Sequence, residues 1–394
     1  MGLVGVLAFI FALLFSVMVH EFGHYITAKR YGMRVTEFFL GFGKRLWSTQ
    51  RGETEFGVKA IPAGGYCRIS GMSPREVLPL EVQERAYFRA KTHQKLIVSG
   101  AGSFLHFVLG FLLLFLLFSG VGVAKPLSTI SEVVPCVPTS NKCVESDPIS
   151  PAKSAGLLAG DRIVGIDGKL NLDWEEISPI LRQSAGEEIE LTIDRSGEQF
   201  SIRVKLASRT VEGEERGYLG IINEYGLVRE NPITAINSSI NATGDLIVGS
   251  AKALVNLPAQ IPSLFGQTFL GEERNSDGLV GIVGVARATG DTVSSRNLTT
   301  GEKLATFILI IASLNIFVGI FNLLPILPLD GGHMAIAVYE GIRRQVYRLR
   351  GRAEPGKVDV EKLTPITAIV LVFLIILTVL LLIADIFNPI NLNI

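Results

Sequence analysis

His20-Glu21-Phe22-Gly23-His24 sets two imidazoles four residues apart with a carboxylate beside the first. On a helix this spacing puts both rings on one face, where they can share a metal ion, and the glutamate is placed to act as general base; it is the HExxH pattern of zinc hydrolases. A second polar cluster, Asn322-Leu323-Leu324-Pro325-Ile326-Leu327-Pro328-Leu329-Asp330-Gly331-Gly332-His333, closes a later apolar run. Asp330 offers a third ligand and leaves the fourth position open to water. Ionisable groups within an apolar helix are costly to bury, so three in one turn require a compensating partner such as a metal. The plainer alternatives are a helix end that has left the hydrocarbon and, for Asp330, a loop residue before a Gly-Gly turn. Neither explains why both clusters interrupt apolar runs.

Those runs are the elements that must position the chemistry. The chain is 48% hydrophobic with a mean hydropathy of +0.40, too apolar for an ordinary soluble enzyme of 394 residues. Its 37 basic and 37 acidic residues cancel, which argues against nucleic acid as a partner. A bilayer crossing needs roughly 20 mostly apolar residues. Four stretches qualify: Leu3 to about Thr27, Leu96 to Phe118, about Leu304 to Leu327, and Ile366 to Ile386. The first lacks a basic flank and a small-residue cleavage site, and reads as a retained helix. Basic residues crowd the cytoplasmic flanks of spans. Lys29, Arg30, Arg34, Lys44 and Arg45 follow the first span, Arg89, Lys91 and Lys95 precede the second, and Arg343, Arg344, Arg348, Arg350 and Arg352 lie between the third and fourth. Both loops are therefore expected in the cytoplasm, with the termini and the long middle segment outside.

Both motifs, in this order and in apolar runs, resemble the site-2 proteases, whose signatures are HExxH in an early membrane helix and N-x-x-P-x-x-x-L-D-G in a late one. The resemblance implies that His20, His24 and Asp330 bind Zn2+, that Glu21 is the general base, and that Asn322 holds the substrate backbone. It extends over nearly the whole chain. Gly41-Phe42-Gly43 is similar to the family's GFG element, and Pro62-Ala63-Gly64-Gly65-Tyr66 to its membrane-re-entrant β-hairpin, which makes Gly41, Phe42, Gly43, Gly64 and Gly65 substrate-binding candidates. Gly102-Ser103-Phe104-Leu105-His106 departs from the family's G-P-x-x-N, lacking both the proline and the asparagine. His106 is open to two readings, a fourth ligand or substrate clamp, or an interhelical hydrogen bonder. Asn315 lies seven residues before Asn322, whereas some relatives carry a second asparagine five residues before the first, so no role is transferred to it.

The middle segment resembles a PDZ domain through Pro151-Ala152-Lys153-Ser154-Ala155-Gly156-Leu157 and Gly160-Asp161-Arg162-Ile163-Val164-Gly165-Ile166-Asp167-Gly168. Helical spacing from Trp174 to Arg182 and alternation over Ile189–Asp194 and Phe200–Leu206 suit that fold. Cys136 and Cys143 can pair if their loop faces an oxidising compartment. Cys67 reads as a packing residue. Pro232 to about Leu270 suits amphipathic helices on the outer leaflet or at a substrate gate.

The expected protein is a polytopic α-helical membrane protein with four transmembrane helices, an inserted extracytoplasmic α+β PDZ domain and a membrane-re-entrant β-hairpin. Its expected parts are residues 1–28 (first span), 29–95 (cytoplasmic loop with the hairpin), 96–120 (second span), 121–225 (PDZ-like domain), 226–303 (gate), 304–333 (third span), 334–365 (basic cytoplasmic loop) and 366–387 (fourth span). The resemblance implies an inner-membrane protease making the second cut in regulated intramembrane proteolysis. Its partners would be the bilayer and a single-pass membrane protein, either an anti-sigma factor or a remnant signal peptide. A PDZ adaptor without protease activity is the competing class, and a metal or proton transporter a third, disfavoured by the absence of internal repeats.

Overall fold

The structure, a computed structural model, describes residues 2–73, 76–138, 143–144, 146–211, 213–272, 274 and 278–389. The chain divides into two units, Met1–Gly122 with Arg229–Ile394, and Val123–Val228. The expected outer position of the extreme termini falls on Met1 and residues 390–394, outside the described residues.

The first unit begins with α1 (Leu3–Arg30), two long antiparallel strands β1 (Val35–Arg51) and β2 (Thr54–Ile69), the short α2 (Leu80–Gln83), and α3 (Thr92–Leu116), which a single π turn extends to Val121. The inserted unit carries β3 (Val123–Val133), α4 (Pro151–Ser154), β4 (Arg162–Ile166), β5 (Lys169–Leu170), α5 (Trp174–Gln183), β6 (Glu188–Arg195), β7 (Glu198–Lys205), β8 (Ala207–Val211), β9 (Glu214–Tyr218) and β10 (Ile221–Val228). The chain then returns through α6 (Pro232–Phe269), α7 (Ile282–Ser294), α8 (Thr300–Asn322), α9 (Asp330–Leu349) and α10 (Thr364–Phe387).

Among the described residues four helices are long and apolar enough to cross a membrane: Leu3–Arg30, Thr92–Val121, Thr300–Asn322 and Thr364–Phe387. At 1.5 Å per residue even the 23-residue α8 exceeds a hydrocarbon core of about 30 Å. This is a polytopic membrane protein with an inserted, sheet-rich unit.

The third run behaves differently from its sequence expectation. Its helix stops at Asn322 because Pro325 and Pro328 lack the N–H that an i to i−4 ladder needs, and the chain turns through residues 323–329. It restarts as a helix at Asp330, so much of the expected basic loop is the 20-residue α9. Two glycines allow the restart: a Cβ at Gly331 would stand 2.2 Å from the Leu323 carbonyl oxygen, and one at Gly332 would stand 2.6 Å from the Leu327 nitrogen. The gate segment is likewise a continuous 38-residue helix, α6, that accommodates Pro258 and Pro262, followed by α7. Asn231 caps its start by accepting from the amides of Ile233 and Thr234, with Pro232 at the first helical position.

In the inserted unit the main sheet has the order β10-β3-β4-β6-β7, with β5 on β4, while β8 and β9 form a separate hairpin. Asp167-Gly168 and Ser196-Gly197 have positive φ at both positions, the two-residue turn that matches strand twist. Ile163, Ile177, Leu191, Ile193 and Leu206 fill the core. The last strand pairs with the first, Val228 opposite Val123, so the chain leaves this unit beside where it entered. A domain can therefore be inserted at one point between membrane helices.

Candidate metal centre

α1 presents His20 and His24 one turn apart, both buried, on the face against α3. The approach is close because both helices carry glycine there. A Cβ at Gly23 would stand 2.6 Å from the Ala101 carbonyl oxygen, and one at Gly102 would stand 2.6 Å from both His20 Nδ1 and His24 Nε2. His24 Nδ1 lies 2.7 Å from the Val98 carbonyl oxygen. A carbonyl only accepts, so the proton sits on Nδ1 and the Nε2 lone pair faces the site, the arrangement in which an outer partner orients a metal ligand.

Asp330, the first residue of α9, completes the set. Its Oδ2 lies 3.2 Å from His20 Nε2 and 3.3 Å from His24 Nε2, and the two nitrogens are 3.1 Å apart. A tetrahedron with ligand bonds of about 2.0 Å has edges of about 3.3 Å, so these three atoms have the dimensions of one face of a zinc shell. Asp330 Oδ2 is buried and, among the described residues, has no hydrogen bond of acceptable geometry. Among the described residues this is the one group of three metal-ligating side chains.

Glu21 points from α1 toward β2. A Cβ at Gly65 would stand 3.3 Å from Glu21 Cγ and 3.1 Å from Met18 Sδ, so the strand lies against these side chains and a larger residue would have to push them aside. The sheet has an unusual register. Phe39 is opposite Tyr66 on one side and Gly57 on the other, so each long strand folds back on itself and residues 37–40 are interior. Gly41 and Gly43, with φ of 85° and 82°, make the fold-back, and a Cβ at Gly41 would meet the Ile61 carbonyl oxygen at 2.7 Å. Their glycine requirement is thus internal to the sheet. Gly64 lies at the same tip against Phe42, which stacks on Tyr66 at 5.8 Å. Residues 65–69 pair only with 35–40, leaving an open strand edge, and Gly65 on that edge is the one expected glycine that adjoins Glu21.

The sheet is pinned to the end of α1 by charge. Arg85 donates to both oxygens of Glu53, at 2.8 and 2.7 Å, and to the Gly32 carbonyl at 2.7 Å, while Lys29 stands 3.6 Å from Glu53. The paired guanidinium holds the Glu53 carboxyl down at about 2.

A profile of peptidase family M50 matches residues 8–354. The chain belongs to this family, the site-2 proteases. It is 34% identical over 409 residues to the zinc metalloprotease Rip1 of Mycobacterium tuberculosis (strain H37Rv), covering 100% of this chain and 99% of that one. It is 28% identical over 361 residues to a putative zinc metalloprotease of Agrobacterium fabrum, 86% of each chain. It is 25% identical over 427 residues to the regulator of sigma-E protease RseP of Salmonella typhimurium, 85% of this chain and 90% of the relative. The protein is a zinc metalloendopeptidase of the site-2 protease type.

The M50 motifs account for the ligand triangle and for Glu21, but other residues at the site carry no motif signal. The Val98 carbonyl and the Gly23–Gly102 contact are two of them. A third is the bridge among three membrane helices. Asn315 Nδ2 donates to Ser16 Oγ at 3.0 Å and to the Ile311 carbonyl at 2.8 Å, which spends both amide protons. Its Oδ1 therefore accepts from His106 Nδ1 at 2.8 Å. His106 is an interhelical hydrogen bonder, as one of its two readings had it, with its ring 4.9 Å from that of His20 and outside the ligand triangle. The signal was available in principle: one small or polar residue in each of three apolar runs. Asn322 sits half-buried at the end of α8, and among the described residues its side chain is hydrogen-bonded to none of the other site residues.

Proposed function

We propose that this chain is an intramembrane protease that hydrolyses a peptide bond within the transmembrane segment of a single-pass membrane protein, with zinc held by His20, His24 and Asp330. The observation that carries the reading is the ligand triangle, in which two histidines of a candidate membrane-spanning helix meet Asp330 of α9, beside a glutamate and an open strand edge. The size of the triangle and the N2O donor set fit zinc.

The substrate helix must first be unwound, because a helical peptide bond is shielded by its own hydrogen bonds and side chains. The open edge at residues 65–69 can take the unwound segment as an added strand, aligning its backbone along α1. Gly65 keeps that strand close enough for the scissile bond to reach Glu21. Bound zinc supplies Lewis-acid activation of water and of the scissile carbonyl. Glu21 takes a proton from the attacking water and delivers it to the leaving amide nitrogen. Asn322, whose side chain has no hydrogen-bond partner among the described residues, holds the substrate backbone. The Val98 carbonyl keeps His24 in the ligating tautomer throughout.

The basic residues flanking the spans support cytoplasmic placement of the sheet and of α9, with the inserted unit on the outer face. The disulfide between Cys136 and Cys143, with Cα atoms 5.9 Å apart, supports an oxidising compartment for that unit. In the inserted unit β10 is an edge strand that follows Tyr218-Leu219-Gly220, an arrangement that suits a PDZ-like groove accepting an extended peptide. This architecture suits the second cut in regulated proteolysis, for example of an anti-sigma factor or a remnant signal peptide.

The test is cleavage of a single-pass reporter by the purified protein in a bilayer, with the new termini located by mass spectrometry. A cut inside the reporter's membrane segment, lost on chelation and regained with zinc, is expected. Cleavage only in its water-exposed flanks would refute the intramembrane cut, and no cleavage with zinc bound would favour an adaptor role.

A further inference from the structure

Between the third and fourth membrane helices α9 shows two unlike faces. Its first turn, Gly331 and Gly332, is buried against residues 323–327, and its inner face packs Ala337 out of solvent and sends Glu340 to Lys95 of α3 at 2.6 Å, with side-chain exposures of 10% and 6%. The other Glu340 oxygen accepts from the Val358 amide at 2.9 Å. The outer face exposes Val338, Tyr339, Ile342 and Leu349, at 43%, 56%, 59% and 80%. At 3.6 residues per turn Val338, Ile342 and Leu349 lie on one stripe, with Arg348 about 100° to one side of it and Arg343 about 120° to the other, while Arg344 follows Glu340 by one turn and lies on the inner side. Arg350 and Arg352 follow directly, and no acidic residue occurs between Gly341 and Ala353. Among the described residues Arg344, Arg348, Arg350 and Arg352 form no ion pair with the protein.

An apolar stripe bordered by uncompensated cations is unstable against water and suited to a membrane surface, where the stripe meets acyl chains and the cations meet phosphates. Connections fix the location: residues 323–329 join α9 to one spanning helix and residues 350–363 join it to the next. Its first residue is Asp330. We propose that the outer face of α9 binds the headgroups of anionic phospholipids in the leaflet it borders, and that this contact holds Asp330 in the ligand triangle. The inner face is pinned by the Glu340–Lys95 pair and the outer face by lipid, so the helix that carries the third ligand is clasped from both sides. The coupling to Asp330 rests on the metal-site reading above, whereas the lipid surface does not.

The experiment uses the full-length protein and measures phosphatidylglycerol and phosphatidylcholine binding by native mass spectrometry. Wild type should bind phosphatidylglycerol at least tenfold more tightly than the R348Q/R350Q/R352Q variant, and added salt should erase the difference. Phosphatidylcholine binding should not change, nor should either lipid's binding to R203Q/K205Q in the inserted unit. The milder R348Q/R350Q pair, at exposed positions, gives an intermediate loss if the full variant does not fold. Equal phosphatidylglycerol affinity in wild type and variants overturns the surface. For the coupling, zinc retention against a chelator is followed in nanodiscs of phosphatidylcholine with and without phosphatidylglycerol. Wild type and Glu21→Gln, which needs no turnover for this readout, should both hold zinc longer with phosphatidylglycerol, and the arginine variant should show no dependence. A lipid effect of equal size in the arginine variant overturns the coupling. Zinc absent from every sample, with lipid binding intact, would refute the metal reading and the coupling while the surface stands.

Discussion

The middle of the membrane unit and the middle of the inserted unit are built from opposite materials. In Val123–Val228 the innermost side chains are Ile163, Ile177, Leu191, Ile193 and Leu206. Where α1, α3 and α8 meet, the buried side chains include Ser16, His20, His24, Ser103, His106 and Asn315, while Leu7, Phe11, Phe104 and Leu309 on the same helices are exposed. One rule produces both patterns, since each unit presents to its surroundings what those surroundings tolerate. In the inserted unit polarity lies mainly outside, with Ser150 and Asp161 among the buried exceptions. In the membrane unit it marks the inside, and there it carries the chemistry.

Substitutions can break or sharpen this contrast. The largest effect is expected where the polar interior is tightest. Gly102→Ala places a methyl 2.5 Å from His20 Cε1, and displacing the ring should lower cleavage by roughly 10²-fold or more with a parallel loss of zinc. Normal zinc content and activity in that variant would mean the helices do not close on the site as described. Next is the buried ion pair. Lys95→Met removes the ion-pair partner of the buried Glu340 and leaves it the Val358 amide, at a cost of about 3–5 kcal/mol to the membrane unit, while replacing both partners with apolar residues should recover most of it. Unfolding of the single and double variants in detergent measures this. In the inserted unit Ile193→Val should cost about 0.5–1.5 kcal/mol and leave zinc content untouched. A fall in zinc would show that the two interiors are not independent.

The smallest effect is a pH slope in the inserted unit. Burial alone would raise the Asp161 carboxyl, but two hydrogen bonds from Arg195, at 2.6 and 2.7 Å, and one from the Leu158 amide outweigh it and hold the group below its usual 3.8. A depressed folded value means that its stabilisation is complete above the unfolded value and lost as pH falls through the folded one. Hydrogen exchange in β4 and β6 should therefore accelerate below about pH 4, and Asp161→Asn should flatten that slope.

Much of this contrast is legible in the sequence, for physical reasons that also explain the gaps. The spans can be read because apolar length is a local property, and the two motifs stand out because polar groups in apolar runs are costly. The helix of α5 was visible from Trp174 to Arg182 because one face of it is apolar. Helix α9 was hidden because Pro328, Gly331 and Gly332 announce a turn and the arginines announce a loop, while the helix depends on a close backbone fit to residues 323–327. The folded-back sheet was hidden for a related reason: the glycines suggested room for substrate, but Gly41 and Gly43 serve the sheet's own bend and only Gly65 adjoins Glu21. Asn315 and His106 were visible as polar residues in spans, yet their pairing depends on how two helices are rotated, which spacing within either one cannot specify.

The central claim is that His20, His24 and Asp330 hold the metal while Glu21 moves the proton. It is tested most directly by zinc content and reporter cleavage in wild type, Glu21→Gln, His20→Ala and Asp330→Asn, purified side by side. The expected result is full zinc in Glu21→Gln with cleavage lowered by roughly 10²–10⁴-fold, and loss of both zinc and cleavage in the other two. Equal zinc in all four proteins, or equal loss in all three variants, would contradict the assignment.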